Sequence, residues 1–128
     1  MDIVTRKQLN ILIQLAEADK HFSPLERQRI FDIAKKRKFP QEEVKELIRN
    51  PEPIGTLGAL SEGQRFDYLY NLIDLMLADK KIFENELLFC KDIAIKLGFK
   101  KDVVEFLKDS IYDHDVAELK TRVFSEYT

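Results

Sequence analysis

Two aspartates, Asp19 and Asp79, stand sixty residues apart, and each is followed seven residues later by a glutamate, Glu26 or Glu86. Each aspartate falls just past the last turn of an expected long helix. The helix dipole presents its negative end there, so a carboxylate in that place needs compensation. Three sources are at hand. Backbone amides two residues on can bond an aspartate in a tight turn. The adjacent Lys20 or Lys80 can pair with it. A bound cation can do the same. Glu26 closes the run Ser23-Pro24-Leu25-Glu26, a strong helix start. Ser23 is the cap, Pro24 the first helical residue, and Glu26 the acid that reaches back to the cap amide. Glu86 holds the same place in the second run, but Phe83 stands where Ser23 caps. Both glutamates can thus bond free amides at a helix start.

Other reactive side chains read as structural. Cys90 shares a helical face with Ile93 and Ala94, as a small core residue would. It becomes a reactive thiol only beside a cation. His21 reads as a solvated loop residue. His114 lies between Asp113 and Asp115, where adjacent side chains diverge and a helix begins. Phe66, Tyr68 and Tyr70 read as core rather than as stacking platforms. The basic run Lys35-Lys36-Arg37-Lys38 fits the last turn of a helix, where cations meet the negative dipole end. There is no Gly-rich phosphate loop, no nucleophile elbow and no histidine pair at metalloprotease spacing.

The 128 residues carry 21 basic and 23 acidic side chains, a net charge of -2. That balance gives no global attraction to nucleic acid. One cysteine excludes an intramolecular disulfide, and a chain this long buries roughly two-thirds of its unfolded surface without one. No basic-then-apolar leader opens the sequence, and no run approaches the roughly twenty apolar residues of a membrane span. The expectation is a cytoplasmic protein without direct membrane insertion.

The acidic turns belong to a larger repeat. Shifted by sixty, residues 12–47 align with 72–107 without a gap, and fourteen of the 36 positions are identical. An internal repeat of this kind fixes the architecture. The apolar spacing predicts a first helix from 5 to about 18, capped by Thr5, with Asn10, Gln14 and Glu17 on its wet face. A second helix follows Ser23 and ends near Lys38. A third opens at Pro40. Residues 51–60, with Pro51, Pro53, Gly55 and Gly58, form the connection between copies and pack down through Ile54, Leu57 and Leu60. Ser61-Glu62-Gly63-Gln64 is a second capping box. The helix it opens is polar only at Asp67, Asn71 and Asp74 from 66 to 78, so it belongs at the centre of a bundle. A fifth helix runs from about 84 to 97 and stops at Gly98. A sixth spans 101 to about 111, and a seventh follows the Asp115 cap. The fold class is all-α: one domain over 1–128, with repeat one at about 5–50, repeat two at about 61–110, and a C-terminal helix at 113–126.

The runs Ala18-Asp19-Lys20-His21-Phe22-Ser23-Pro24-Leu25-Glu26 and Ala78-Asp79-Lys80-Lys81-Ile82-Phe83-Glu84-Asn85-Glu86, with Asp92-Ile93-Ala94-Ile95-Lys96-Leu97-Gly98-Phe99, resemble the TerB-like (tellurite resistance) family. The family places Ala-Asp at the end of one helix, an apolar residue three after the Asp, and Glu seven after it. The resemblance spans about residues 5–110. It implies a compact bundle of about seven helices with pseudo-twofold symmetry, in a bacterial, mostly cytoplasmic protein linked to tellurite and other stress. It also implies a divalent-metal site at Asp19, Glu26, Asp79 and Glu86, and oxygen ligands in this number suit calcium or magnesium. Lys20 and Lys80 replace the glycine that usually follows the Asp, and a lysine there competes with a cation.

These readings predict a non-enzymatic binding or scaffold protein with a protein partner. A docking or self-associating module without metal is the alternative. A carboxylate-dependent hydrolase or transferase would require Glu26 or Glu86 in a cleft with a raised pKa.

Overall fold

The helix over Glu62–Ala78 buries Leu69, Leu72, Ile73 and Met76 completely, as its nearly unbroken apolar circumference demands. In the computed structural model, which describes residues 2–18, 22–78 and 81–128, it is the fourth of seven helices, and no strand occurs among the described residues. The order is α1 (Ile3–Glu17), α2 (Pro24–Lys36), α3 (Gln41–Arg49), α4 (Glu62–Ala78), α5 (Glu84–Lys96), α6 (Val103–Ser110) and α7 (Val116–Glu126). Helices α1 and α4 pack on each other at the centre. Helices α2 and α3 lie against α1, α5 and α6 lie against α4, and α7 lies against α6. One apolar core runs through all seven, from Leu9 and Leu12 to Leu119 and Val123. Among the described residues no helix is long and apolar enough to cross a membrane.

The local chemistry of the helix ends explains most boundaries. At Ser23 the capping box is complete. Ser23 Oγ accepts from the Glu26 amide at 3.1 Å, and Glu26 Oε1 accepts from the Ser23 amide at 3.2 Å. The Ser61–Gln64 box closes in the same way, at 3.2 and 2.9 Å. Helix α1 starts three residues earlier than Thr5 suggests. Asp2 is the cap, and its carboxylate accepts from both the amide and the hydroxyl of Thr5. Asp115 occupies the N-cap position of α7 in extended conformation, but its side chain makes no capping bond.

Helix α2 stops at Lys36 rather than Lys38, through a left-handed residue that is not glycine. Lys38 has φ 57°, and the amides of Lys38 and Phe39 bond the carbonyls of Lys35 and Ala34 at 3.1 and 2.8 Å. This is the Schellman arrangement. Helix α5 ends with the same two bonds, Gly98 to Ile95 at 3.0 Å and Phe99 to Ala94 at 2.9 Å, with Gly98 at φ 92°. In both cases the phenylalanine after the turn, Phe39 or Phe99, is buried.

The connection over 51–60 is tied to α1. Asn10 is 4% exposed, so it does not belong to a wet face. Its Nδ2 donates to the Glu52 carbonyl and its Oδ1 accepts from the Glu52 amide, both at 2.9 Å. This is the two-point pairing that a neighbouring strand would give. Gln14 Nε2 adds a bond to the same carbonyl at 2.6 Å. Arg6 grips the Glu52 carboxylate with two nitrogens, at 3.1 and 3.0 Å. Leu57 and Leu60 then sink into the core.

Candidate functional site

Glu26 and Glu86 sit at the third position of α2 and α5, and each is 2% exposed. Glu26 faces the Ser23 amide, and Glu86 Oε1 accepts from the Phe83 amide at 3.4 Å. Phe83 has no side-chain oxygen to return the bond, so the second box is half of the first. Both glutamates therefore act at helix starts, where four amides per helix lack intrahelical partners. Asp19 and Asp79, together with Lys20, Lys80 and His21, lie outside the described residues. Among the described residues no group of three or more His, Cys, Asp or Glu side chains gathers as a metal centre. Glu26 and Glu86 alone fall short of the six to eight oxygens that calcium takes.

The polar stripe of α4 holds the second set of charged contacts. Asp67 pairs with Arg37 and also accepts from Gln8 at 3.3 Å and Asn71 at 3.1 Å. Asp74 pairs with Arg29 at 2.9 Å and accepts from the Tyr112 hydroxyl at 2.8 Å. The stripe is thus the seam along which α2 is fastened to α4. Arg37, drawn from the basic run, serves this seam. The Tyr112 hydroxyl is pushed up to about 12 by burial and by the Asp74 carboxylate that accepts its proton. Tyr68 is 2% exposed, its hydroxyl donates to the Val4 carbonyl, and burial pushes it up to about 12.

Cys90 is fully buried with its sulfur 3.8 Å from that of Met76, and desolvation raises its pKa further, with the Glu86 charge adding to it. A thiol shut in this way is a core side chain, not a nucleophile. His114 Nδ1 lies 3.6 Å from Glu118 across one turn at the start of α7. It joins a helix start, not a ligand trio.

Among the described residues, three of the open surface depressions lie beside these features. One of about 600 Å³ runs between α4 and α7 over Phe66, Tyr70 and Val116. A second, of about 310 Å³, lies along the Arg29–Asp74 seam. The third is a shallow groove of about 530 Å³ between the end of α1, the connection and α5. None of the three is lined by Glu26 or Glu86. The third holds Glu17, whose carboxyl pKa is raised by burial. Sequence reasoning put Glu17 on a wet face. Its one visible signal was Leu77 at the position sixty residues on.

Compared with models of protein families, with curated proteins and with solved structures, the chain finds no match.

Proposed function

We propose that the chain is a non-enzymatic, TerB-like binding or scaffold protein of the bacterial cytoplasm, serving tellurite or general stress response. In this reading two helical repeats, residues 5–50 and 61–110, are related by an approximate twofold axis. The observation that carries it is the matched pair Glu26 and Glu86. They stand sixty residues apart, each buried, each at the third position of a helix, and each facing its N-cap amide. The paired Schellman ends at Lys38 and Gly98, at the same offset, support it. The burial of Cys90 and the engaged hydroxyls of Tyr68 and Tyr112 favour binding over catalysis.

The bends are then the functional feature, with Asp19, Glu26, Asp79 and Glu86 as oxygen donors toward a calcium- or magnesium-class cation. Donors of this number need water, or both bends together, to complete a shell. The test is thermal unfolding after chelation, with calcium, magnesium or manganese added back. A cation at a hundredfold excess over its dissociation constant adds about 2.7 kcal/mol, or ~10 °C for a chain of this size. Asp79→Asn should abolish the rise. If no cation raises the midpoint, the metal-free docking module is the reading that stands.

A further inference from the structure

We propose that the cavity enclosed between α1 and the connection binds a short-chain monocarboxylate, with Lys7 as its counter-charge. The inference goes beyond the reading of the acidic bends and does not depend on it. The cavity has a volume of about 90 Å³ and is more closed than the three depressions described above. Ile11 and Leu57, both buried, and the partly buried Ile54 give it apolar walls. Its polar side is formed by Lys7, Asn10 and Glu52. Lys7 and Asn10 stand three apart on α1 and so share the helix face that the connection crosses.

The hydrogen bonds around the cavity leave protons to spare and lone pairs engaged. The Glu52 carbonyl accepts from Asn10 at 2.9 Å and from Gln14 at 2.6 Å. Asn10 Oδ1 accepts from the Glu52 amide at 2.9 Å and from Gln14 at 3.3 Å. Both Glu52 carboxylate oxygens are held by Arg6. On the donor side, the Lys7 ammonium gives one of its three protons to the Thr56 carbonyl at 3.2 Å. Asn10, 4% exposed, gives one of its two amide protons to the Glu52 carbonyl. The protons that remain on both side chains suit a ligand that only accepts, and a carboxylate is such a group. An alcohol or an amine would bring further protons to side-chain oxygens that are already engaged. The volume sets the chain length. A cavity of about 150 Å³ takes benzene, so this one suits the smaller acetate or propionate. A closed space of this size has no room for a partner's side chain with its backbone, so the occupant is a free molecule.

The test is a nuclear magnetic resonance titration of the nitrogen-labelled full chain with sodium propionate, with sodium chloride holding the ionic strength constant. Propionamide serves as the uncharged control, and hexanoate tests the limit of length. The expected result is saturating shifts at the amides of Ile11, Ile54 and Gly55 with propionate, in the millimolar range that so few ligand atoms allow. Propionamide and hexanoate should bind clearly more weakly. Lys7→Gln should weaken propionate binding about tenfold or more, the loss of one charge-assisted bond. Lys45→Gln, at an exposed position on α3, should leave it unchanged. A ligand of the folded chain also raises its melting midpoint. Propionate should therefore raise the midpoint of wild type and not that of Lys7→Gln, a comparison that holds even if the variant alone melts lower. Absent saturation, equal shifts with propionamide, hexanoate binding as tightly as propionate, or binding unaltered by Lys7→Gln would each overturn the proposal.

Discussion

Replacing Asn10 with alanine tests how the two halves of the chain are joined. Asn10 gives the Glu52 backbone one donor and one acceptor, each at 2.9 Å. Alanine removes both bonds, and with them the weaker one that Gln14 Nε2 donates to Asn10 Oδ1 at 3.3 Å. The Glu52 carbonyl keeps Gln14 at 2.6 Å, so the larger loss is the amide, which is left without its acceptor. A typical intramolecular hydrogen bond contributes about 0.5–1.5 kcal/mol net, and an abandoned donor costs about 1–3 kcal/mol. Part of this site is open to water, so about 2 kcal/mol is the working value for the whole change. With an unfolding entropy of ~2.1 cal/mol/K per residue, 128 residues give ~0.27 kcal/mol/K, so the midpoint should fall by ~7 °C. Asn10→Asp should fall further, because it keeps the acceptor but turns a carboxylate oxygen toward the Glu52 carbonyl. Asn50→Ala, which removes only an exposed bond to Glu46, should stay within about 0.5 kcal/mol of wild type. Calorimetry supplies the midpoints, and amide exchange at Glu52 reports the clamp directly. An Asn10→Ala protein that melts with wild type and keeps a slowly exchanging Glu52 amide would refute the reasoning.

Three further perturbations test other parts of the fold. Lys38 sits in the left-handed region, so Lys38→Gly should raise stability by about 0.5–1 kcal/mol in chemical denaturation, the αL penalty less the added entropy of glycine. Gly98→Ala should lower it by about 1–2 kcal/mol, because φ is 92° and the new Cβ meets Arg65 Nη1 at 3.2 Å. The Tyr68 pKa, raised by burial from 10.0 to about 12, fixes an alkaline limit. The unfolded phenol loses its proton first, so the stability it contributes is complete below about pH 10 and is lost as pH rises toward about 12. Denaturant midpoints measured across that window should fall, and Tyr68→Phe should flatten the fall.

How far the fold was legible depended on the range of the interaction. The boxes at Ser23 and Ser61 and the stop at Gly98 are contacts across three to five residues, and their residue types announce them. Thr5 alone read as the cap of α1, but Asp2, an equally good cap type three residues earlier, takes the role. Lys38 was hidden because its Schellman turn uses a side chain that normally avoids the left-handed region. Asn10 and Gln14 read as wet because their partner, Glu52, lies about forty residues away and is met through its backbone. The stripe Asp67–Asn71–Asp74 was visible as a stripe, but not as the seam for Arg29 and Arg37. At the acidic bends, sequence identified the repeated pairs, and the structure assigns Glu26 and Glu86 to helix starts.

The single sulfhydryl at Cys90 has a practical corollary. Folded, the molecule offers no thiol to an oxidant or an alkylating label, since its only cysteine lies on the face of α5 turned toward α4, at 0% exposure. A second cysteine placed on the exterior would be the one thiol a reagent reaches. Probes can therefore be attached at exposed positions such as Leu25 or Leu88 without first stripping the native residue.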